Sequence, residues 1–286
     1  MCYNSLMRLG VQVSIAGRIY NAIDRAKELG CNTIQIFTHS PREYRHGKIS
    51  PADIKEFRKR REKVDIFPLV VHIPYIVNLA SPYGKLYHRS IEIYIEEINQ
   101  AETLGAEYLV THMGSHRRKG EARGLKRFWQ GMETILENTK HTKVSVLLEN
   151  TSGSGYGLGY NFEHLSKVFE GTSWNKRLGF CLDTCHAYVS GYDLSNMSGL
   201  DKALADMDRF IGLDRLKLIH LNDAKDSLGS KRDRHEHIGK GKIGLEGLRN
   251  IVNHPRLRNI PFILETPKQN LEDDRINLEI IRRIRG

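Results

Sequence analysis

Nine side chains in this sequence have the types and the spacing of a metal centre. Six short apolar runs each end in one nitrogen or oxygen donor: Val70-Val71-His72, Leu109-Val110-Thr111-His112, Val146-Leu147-Leu148-Glu149, Leu178 through Asp183, Leu218-Ile219-His220 and Ile263-Leu264-Glu265. His186 follows three residues after Asp183, and Asp233-Arg234-His235 adds two more. The set is five imidazoles (His72, His112, His186, His220, His235) and four carboxylates (Glu149, Asp183, Asp233, Glu265). Those donors suit zinc or a similar divalent ion.

Any one of the nine, alone, could be structural. Six successive strand ends are harder to explain that way, because charged side chains are rarely buried without a partner. Carboxylates sharing one pocket without cations would repel one another and raise each other's pKa. Against four carboxylates, one dication leaves −2, two leave 0 and three leave +2, a sign that attracts a phosphodiester. Nine donors exceed one tetrahedral site and suit two or three sites with a shared carboxylate. Asp233 and His235 alternate in an extended loop and so face one side. With His186 they form a candidate separate site.

The elements that must gather these donors follow from apolar patterning. Strands are expected at 9–14, 33–37, 67–72, 108–112, 144–149, 178–183, 216–221 and 262–265. Helices are expected at 19–29, 51–63, 86–104, 125–140, 161–170, 200–211, 245–252 and 271–284. Ser50 and Pro51 mark a helix start, and Gly30 and Gly105 mark helix ends. The polar stretch 222–244 reads as the longest loop. The strand runs are near-continuously apolar, as in a parallel sheet covered on both faces. Eight strand–helix units predict an α/β fold closed into a single-domain (β/α)8 TIM barrel spanning residues 1–286, with 1–8 a short extension. In such a barrel all strand C-termini meet at one mouth, so donors far apart in sequence converge.

Bulk composition sets bounds. The net charge of +10, from 44 Lys and Arg against 34 Asp and Glu, favours an anionic partner. Four cysteines (Cys2, Cys31, Cys181, Cys185) in so long a chain imply no disulfide framework, so a reducing, cytoplasmic setting is expected. Cys181 and Cys185 flank Asp183, but packing alone accounts for buried cysteine. No stretch reaches the length of a membrane span, and no secretion signal stands at the start.

With those motifs in place the chain resembles the endonuclease IV family of apurinic/apyrimidinic endonucleases. The matching stretches are Thr111-His112-Met113-Gly114-Ser115-His116, Leu147-Leu148-Glu149-Asn150-Thr151, Asn161-Phe162-Glu163-His164-Leu165, Cys181-Leu182-Asp183-Thr184-Cys185-His186, His220-Leu221-Asn222-Asp223, Asp233-Arg234-His235 and Ile263-Leu264-Glu265-Thr266-Pro267. The resemblance covers the chain from about Leu9 to the C-terminus. The resemblance implies a trinuclear zinc enzyme on a (β/α)8 barrel. It places His72, His112 and Glu149 on one zinc; Glu149, Asp183, His220 and Glu265 on a second; and His186, Asp233 and His235 on a third. It makes Glu149 the catalytic residue and puts Arg42 and Tyr75 in the DNA. The implied partner is double-stranded DNA containing abasic sites, cut by a monomer to leave a 3′-hydroxyl and a 5′-deoxyribose phosphate, with trimming of blocked 3′ ends. One departure is visible. Where the family carries Gly-x-His-x-Ser and later Gly-Gly, this chain has Gly10-Val11-Gln12-Val13-Ser14 and Gly17-Arg18.

Two other readings share part of the pattern. A sugar isomerase or epimerase on the same barrel would use Glu149, Asp183, His220 and Glu265 around a single ion, but would not need His72, His112, His186, Asp233 and His235. A non-catalytic damage-binding protein would need no metal-activated water.

Overall fold

The computed structural model describes residues 7–40, 49–171 and 173–286. Strand and helix alternate from the start: β1 (Leu9–Val11), α1 (Asn21–Glu28), β2 (Ile34–Ile36), α2 (Pro51–Arg61), β3 (Leu69–His72), α3 (Gly84–Leu104), β4 (Tyr108–His112), α4 (Glu121–Asn138), β5 (Ser145–Glu149) and α5 (Phe162–Gly171). Then follow β6 (Leu178–Asp183), α6 (Thr184–Ser190), α7 (Met197–Phe210), β7 (Leu216–His220), β8 (Asp223–Ala224), β9 (His235–Glu236), α8 (Gly244–Asn253), β10 (Phe262–Leu264) and α9 (Leu271–Ile284).

Eight strands form one parallel sheet in the order β1-β10-β7-β6-β5-β4-β3-β2. A parallel bridge between Gln12 and Gln35, with the Val13 amide donating to the Gln35 carbonyl at 2.7 Å, joins the two ends. The expected TIM barrel is therefore the observed one. Its closure needs Gly10: a Cβ there would lie 1.7 Å from the Thr33 carbonyl oxygen.

The core explains how the donors reach the mouth. Val70, Val110, Leu147, Cys181, Leu218 and Ile263 are buried in one cluster. Neighbouring residues such as Val71, Leu109, Val146 and Phe180 belong to the cluster shared with the helices. Side chains two apart on a strand share a face. His72, His112, Glu149, Asp183, His220 and Glu265 each stand two residues beyond a member of the inner cluster. Alternation thus stacks a polar layer on an apolar plug.

Ser50 caps α2 by accepting from the Asp53 amide at 3.1 Å, ahead of Pro51, and Gly105 ends α3 at φ 74°, both as expected. Three elements, α6, β8 and β9, lie outside the expected pattern. The helix α6 begins directly at the end of β6, because the Asp183 carboxylate accepts from the His186 amide at 2.7 Å and caps it. The stretch 222–244 is not plain loop. It carries the antiparallel pair β8–β9, in which Asp223 faces Glu236 and Ala224 faces His235. Among the described residues no helix is long and apolar enough to cross a membrane.

Candidate metal centre

The donors converge as three adjoining groups: His72, His112 and Glu149; Glu149, Asp183, His220 and Glu265; and Asp183, His186 and His235. Within each group the donor atoms lie within 4.8 Å of one another. Glu149 divides its oxygens between the first two. Its Oε2 faces His112 Nε2 at 2.9 Å and His72 Nε2 at 3.3 Å, while its Oε1 faces His220 Nδ1 at 3.1 Å. Asp233 Oδ1 lies 3.1 Å from His186 Nε2 and 3.7 Å from His235 Nε2, so it stands with the third group. That group also holds Asp183, whose Oδ2 is 3.6 Å from His235 Nε2. All nine residues singled out in the sequence therefore meet at the barrel mouth, and Asp183 joins a second group that the sequence did not suggest.

Two observations show that these residues fit metal ions. Donors around a tetrahedral zinc, each roughly 2.0–2.2 Å from it, are about 3.3–3.6 Å apart; the imidazole–carboxylate pairs given above are 2.9 to 3.7 Å apart, within groups that span at most 4.8 Å. His235 Nε2 is buried without a hydrogen-bond partner among the described residues, although carboxylate oxygens of Asp183 and Asp233 stand just beyond hydrogen-bond reach. An ion shared by those donors would satisfy it.

Backbone hydrogen bonds at Nδ1 orient three of the five imidazoles. His72 Nδ1 donates to the Ile73 carbonyl at 2.7 Å, His186 Nδ1 to the Asn150 carbonyl at 3.0 Å, and His235 Nδ1 to the Glu265 carbonyl at 2.9 Å. A carbonyl can only accept, so Nδ1 carries a hydrogen and Nε2 is the nitrogen turned to the cluster, with a lone pair for an ion whenever the ring is neutral. The carboxylates are held too. Asn222 Nδ2 donates to Asp183 Oδ2 at 2.7 Å and its Oδ1 accepts from the Glu265 amide at 2.8 Å, tying β6 to β10. Asn150 clasps Asp183 through both backbone groups. Gln35 reaches His220 and Glu265. The sequence motifs contain the two asparagines without revealing their tasks. Gln35 had one sequence signal, an amide inside the buried run Ile34-Gln35-Ile36.

Charge is balanced by proximity. Burial works against the charge on His186, yet Asp183, Asp233 and Glu149 hold its imidazolium well above the ordinary 6.5. Burial likewise raises Glu149, yet His112, His220 and His186 hold it well below 4.5. A lowered carboxyl contributes stability above its unfolded pKa, lost as pH falls through the folded value. A raised imidazole contributes stability below its unfolded pKa, lost as pH rises through the folded value. A chelator-stripped chain should thus melt highest between about pH 4.5 and 6.5 and lower on the alkaline side. Metal takes neutral imidazole, so added zinc should remove the alkaline loss. Melting temperature from about pH 5 to 9, with chelator and with zinc, checks this; a stripped chain that grows steadily more stable toward pH 9 contradicts it.

A cavity of about 440 Å³ opens beside the cluster, lined in part by His72, Tyr75, His112, Arg117, Ser152 and Asp233. Tyr75 is 63% exposed, with its ring edge-on to Phe37 at 5.4 Å. Arg117 and Arg118 hold successive positive φ angles of 47° and 67° in the neighbouring turn, a strained backbone of the kind found at functional sites. Arg42 lies outside the described residues. A second cavity, of about 580 Å³, is lined by Arg61, Lys63, Leu104 and Glu107, away from every donor group. His164 braces loop and helix, accepting from the Gly159 amide at 3.2 Å, as a structural histidine should.

The xylose isomerase-like TIM barrel family matches residues 23–285. A curated protein of Halothermothrix orenii named "Probable endonuclease 4" is 43% identical over 97% of this chain and 100% of its own length. The crystal structure of endonuclease IV from Thermus thermophilus superposes with a TM-score of 0.86 at 38% identity, covering 97% of this chain and 98% of that one. A D-tagatose 3-epimerase-like protein shares the fold at a TM-score of 0.76 and 20% identity, covering 97% of each chain. Identity of this extent over the whole barrel, with the donor cluster intact at its mouth, carries the assignment: the chain belongs to the endonuclease IV family.

Proposed function

We propose that this protein is a metal-dependent DNA repair endonuclease that hydrolyses the phosphodiester 5′ to abasic sites in duplex DNA. The observation that carries the reading is the run of three donor groups joined through Glu149 and Asp183 beside an open cavity. Relatives named endonuclease 4 support DNA as the substrate. In this reading His72, His112 and Glu149 hold one zinc, Glu149, Asp183, His220 and Glu265 a second, and His186, Asp233 and His235, with Asp183 alongside, a third. Bound divalent ions would supply Lewis acidity toward the phosphodiester and toward water. Glu149, wedged between two donor groups, orients the attacking water and takes its proton. A missing base removes stacking, so the strand kinks and the sugar turns out more cheaply there. Tyr75, with much of its ring open to solvent, fills the gap, and Arg117 meets the backbone phosphate. Arg42 completes the insertion. The products are a 3′-hydroxyl and a 5′-deoxyribose phosphate, and trimming of blocked 3′ ends uses the same groups. The chain acts as a monomer in the cytoplasm.

The single-ion sugar isomerase is the alternative, since Glu149, Asp183, His220 and Glu265 form a complete group by themselves. Metal content measured beside nicking of an abasic oligonucleotide separates the two. Three zinc ions per chain and chelator-sensitive nicking support the nuclease. One ion per chain with an intact abasic strand overturns it.

A further inference from the structure

We propose that Gln35 is a positioning residue that selects the metal-facing nitrogen of His220 and the metal-facing oxygen of Glu265, with Gln12 locking its amide. The inference rests on the metal reading above and extends it to strands β1 and β2, which contribute no donor to the three groups.

Gln35 is fully buried and reaches across the barrel. Its Nε2 donates to Glu265 Oε1 at 2.6 Å and to Gln12 Oε1 at 2.8 Å, and its Oε1 lies 2.9 Å from His220 Nε2. The orientation follows from chemistry. An ionised carboxylate only accepts, so the amide nitrogen must face Glu265. The amide oxygen is then left against His220, and an oxygen only accepts there, so His220 Nε2 carries the hydrogen. Nδ1 is the free nitrogen, and it faces Glu149 Oε1 at 3.1 Å and Glu265 Oε2 at 3.3 Å. The same amide engages Glu265 Oε1 and leaves Oε2 for the ion. One side chain thus sets two donors of the central group. His72, His186 and His235 use backbone carbonyls for this task, and His220 uses a side chain.

Gln12 supplies the second constraint. A lone amide between an imidazole and a carboxylate could flip. Gln12 Oε1 takes the second Nε2 hydrogen, and the Gln12–Gln35 backbone bridge keeps the two side by side. Gln12 occupies the position where the family resemblance would place histidine, and any acceptor at that point can serve.

The test uses the full-length zinc-loaded protein and the variants Gln35→Leu, Gln12→Leu and Gln12→His. Zinc retention is titrated with a competing chelator, and the His220 ring nitrogens are followed by ¹⁵N NMR. Wild type should show hydrogen on His220 Nε2. Gln35→Leu should weaken one ion per chain by roughly 10–100-fold, the usual cost of losing a partner behind a metal ligand. In that variant the protected Nε2 hydrogen should vanish. Gln12→Leu lies at a less buried position, so it carries the test should Gln35→Leu not fold. It should weaken the same ion about 3–10-fold. Gln12→His, which restores an acceptor, should fall nearer to wild type than Gln12→Leu does. Wild-type chains that hold no divalent ion would sink the metal reading and this inference together. Wild-type chains with their ions, beside Gln35→Leu and Gln12→Leu chains of unchanged zinc affinity and unchanged His220 signal, would overturn the Gln35 role alone.

Discussion

Replacing Glu149 by Gln should lower cleavage of an abasic duplex by about 10³-fold or more, since in the proposed mechanism it removes both a general base and a charge held at the reacting centre. The substitution keeps shape and volume, so packing is not what changes. The carboxylate turns one oxygen to each side, Oε2 toward His72 and His112 and Oε1 toward His220 and His186, and so offers a ligand atom to both donor groups. An amide has one acceptor oxygen and therefore serves only one side. The other side meets N–H hydrogens where a lone pair stood, and the cluster loses a unit of negative charge. Two donor groups are damaged by one atom. DNA affinity should change by less than about 3-fold, because the side chains proposed to meet the DNA backbone are untouched and backbone contacts dominate such binding. Metal content should fall by at least one ion per chain. Single-turnover cleavage, a binding titration at fixed salt and metal analysis together check this. Cleavage within about 10-fold of wild type would remove Glu149 from the chemistry.

Replacing Asp223 by Ala should cost about 2–4 kcal/mol of stability, because two buried and three partly buried amides lose a charged acceptor. Its Oδ1 accepts from the amides of Ala224, Ile243 and Gly244 at 2.9 to 3.2 Å, and its Oδ2 from those of Gly239 and Gly241 at 3.0 and 2.9 Å. Burial pushes its carboxyl above the usual range, and those amides pull it back. This one side chain fastens both ends of the segment that carries Asp233 and His235. Gly241 shows how closely the chain approaches, since a Cβ there would lie 2.4 Å from Asp223 Oδ1. Freed, the segment should release the third group first. Cleavage should fall about 10–100-fold, with the ions of the other two groups retained. Thermal melting and metal content check this. A variant with unchanged zinc content and full activity would show that the segment is held by other contacts.

The two substitutions differ in how far they could be foreseen. Glu149 ends an apolar run and is conspicuous in the sequence. Asp223 closes the motif His220-Leu221-Asn222-Asp223, but nothing in that motif tells what it holds. Its five amide partners come from as far as Gly244, and no local pattern encodes that closure. The pair β8–β9 was missed for the same reason, since its strands are two residues each and are joined by a polar segment. The helix α6 is a different case. Asp183 as N-cap, three residues before His186, is a local signal, although here the capping carboxylate is also a candidate ligand.

By itself the sequence determined the alternation of strand and helix, the barrel it implies and the nine candidate donors that meet at its mouth. Those are local properties: apolar runs of strand length, glycine and capping residues at helix ends, and one polar residue where each buried run stops. Only the tertiary structure decided how far apart the donors stand, that Asp183 belongs to two groups, and that Gln35 and Asn222 hold them from other parts of the barrel. Strand tilt and closure of the barrel set those distances. Both arise from packing and strand pairing summed over the whole chain, which no short stretch of residues records.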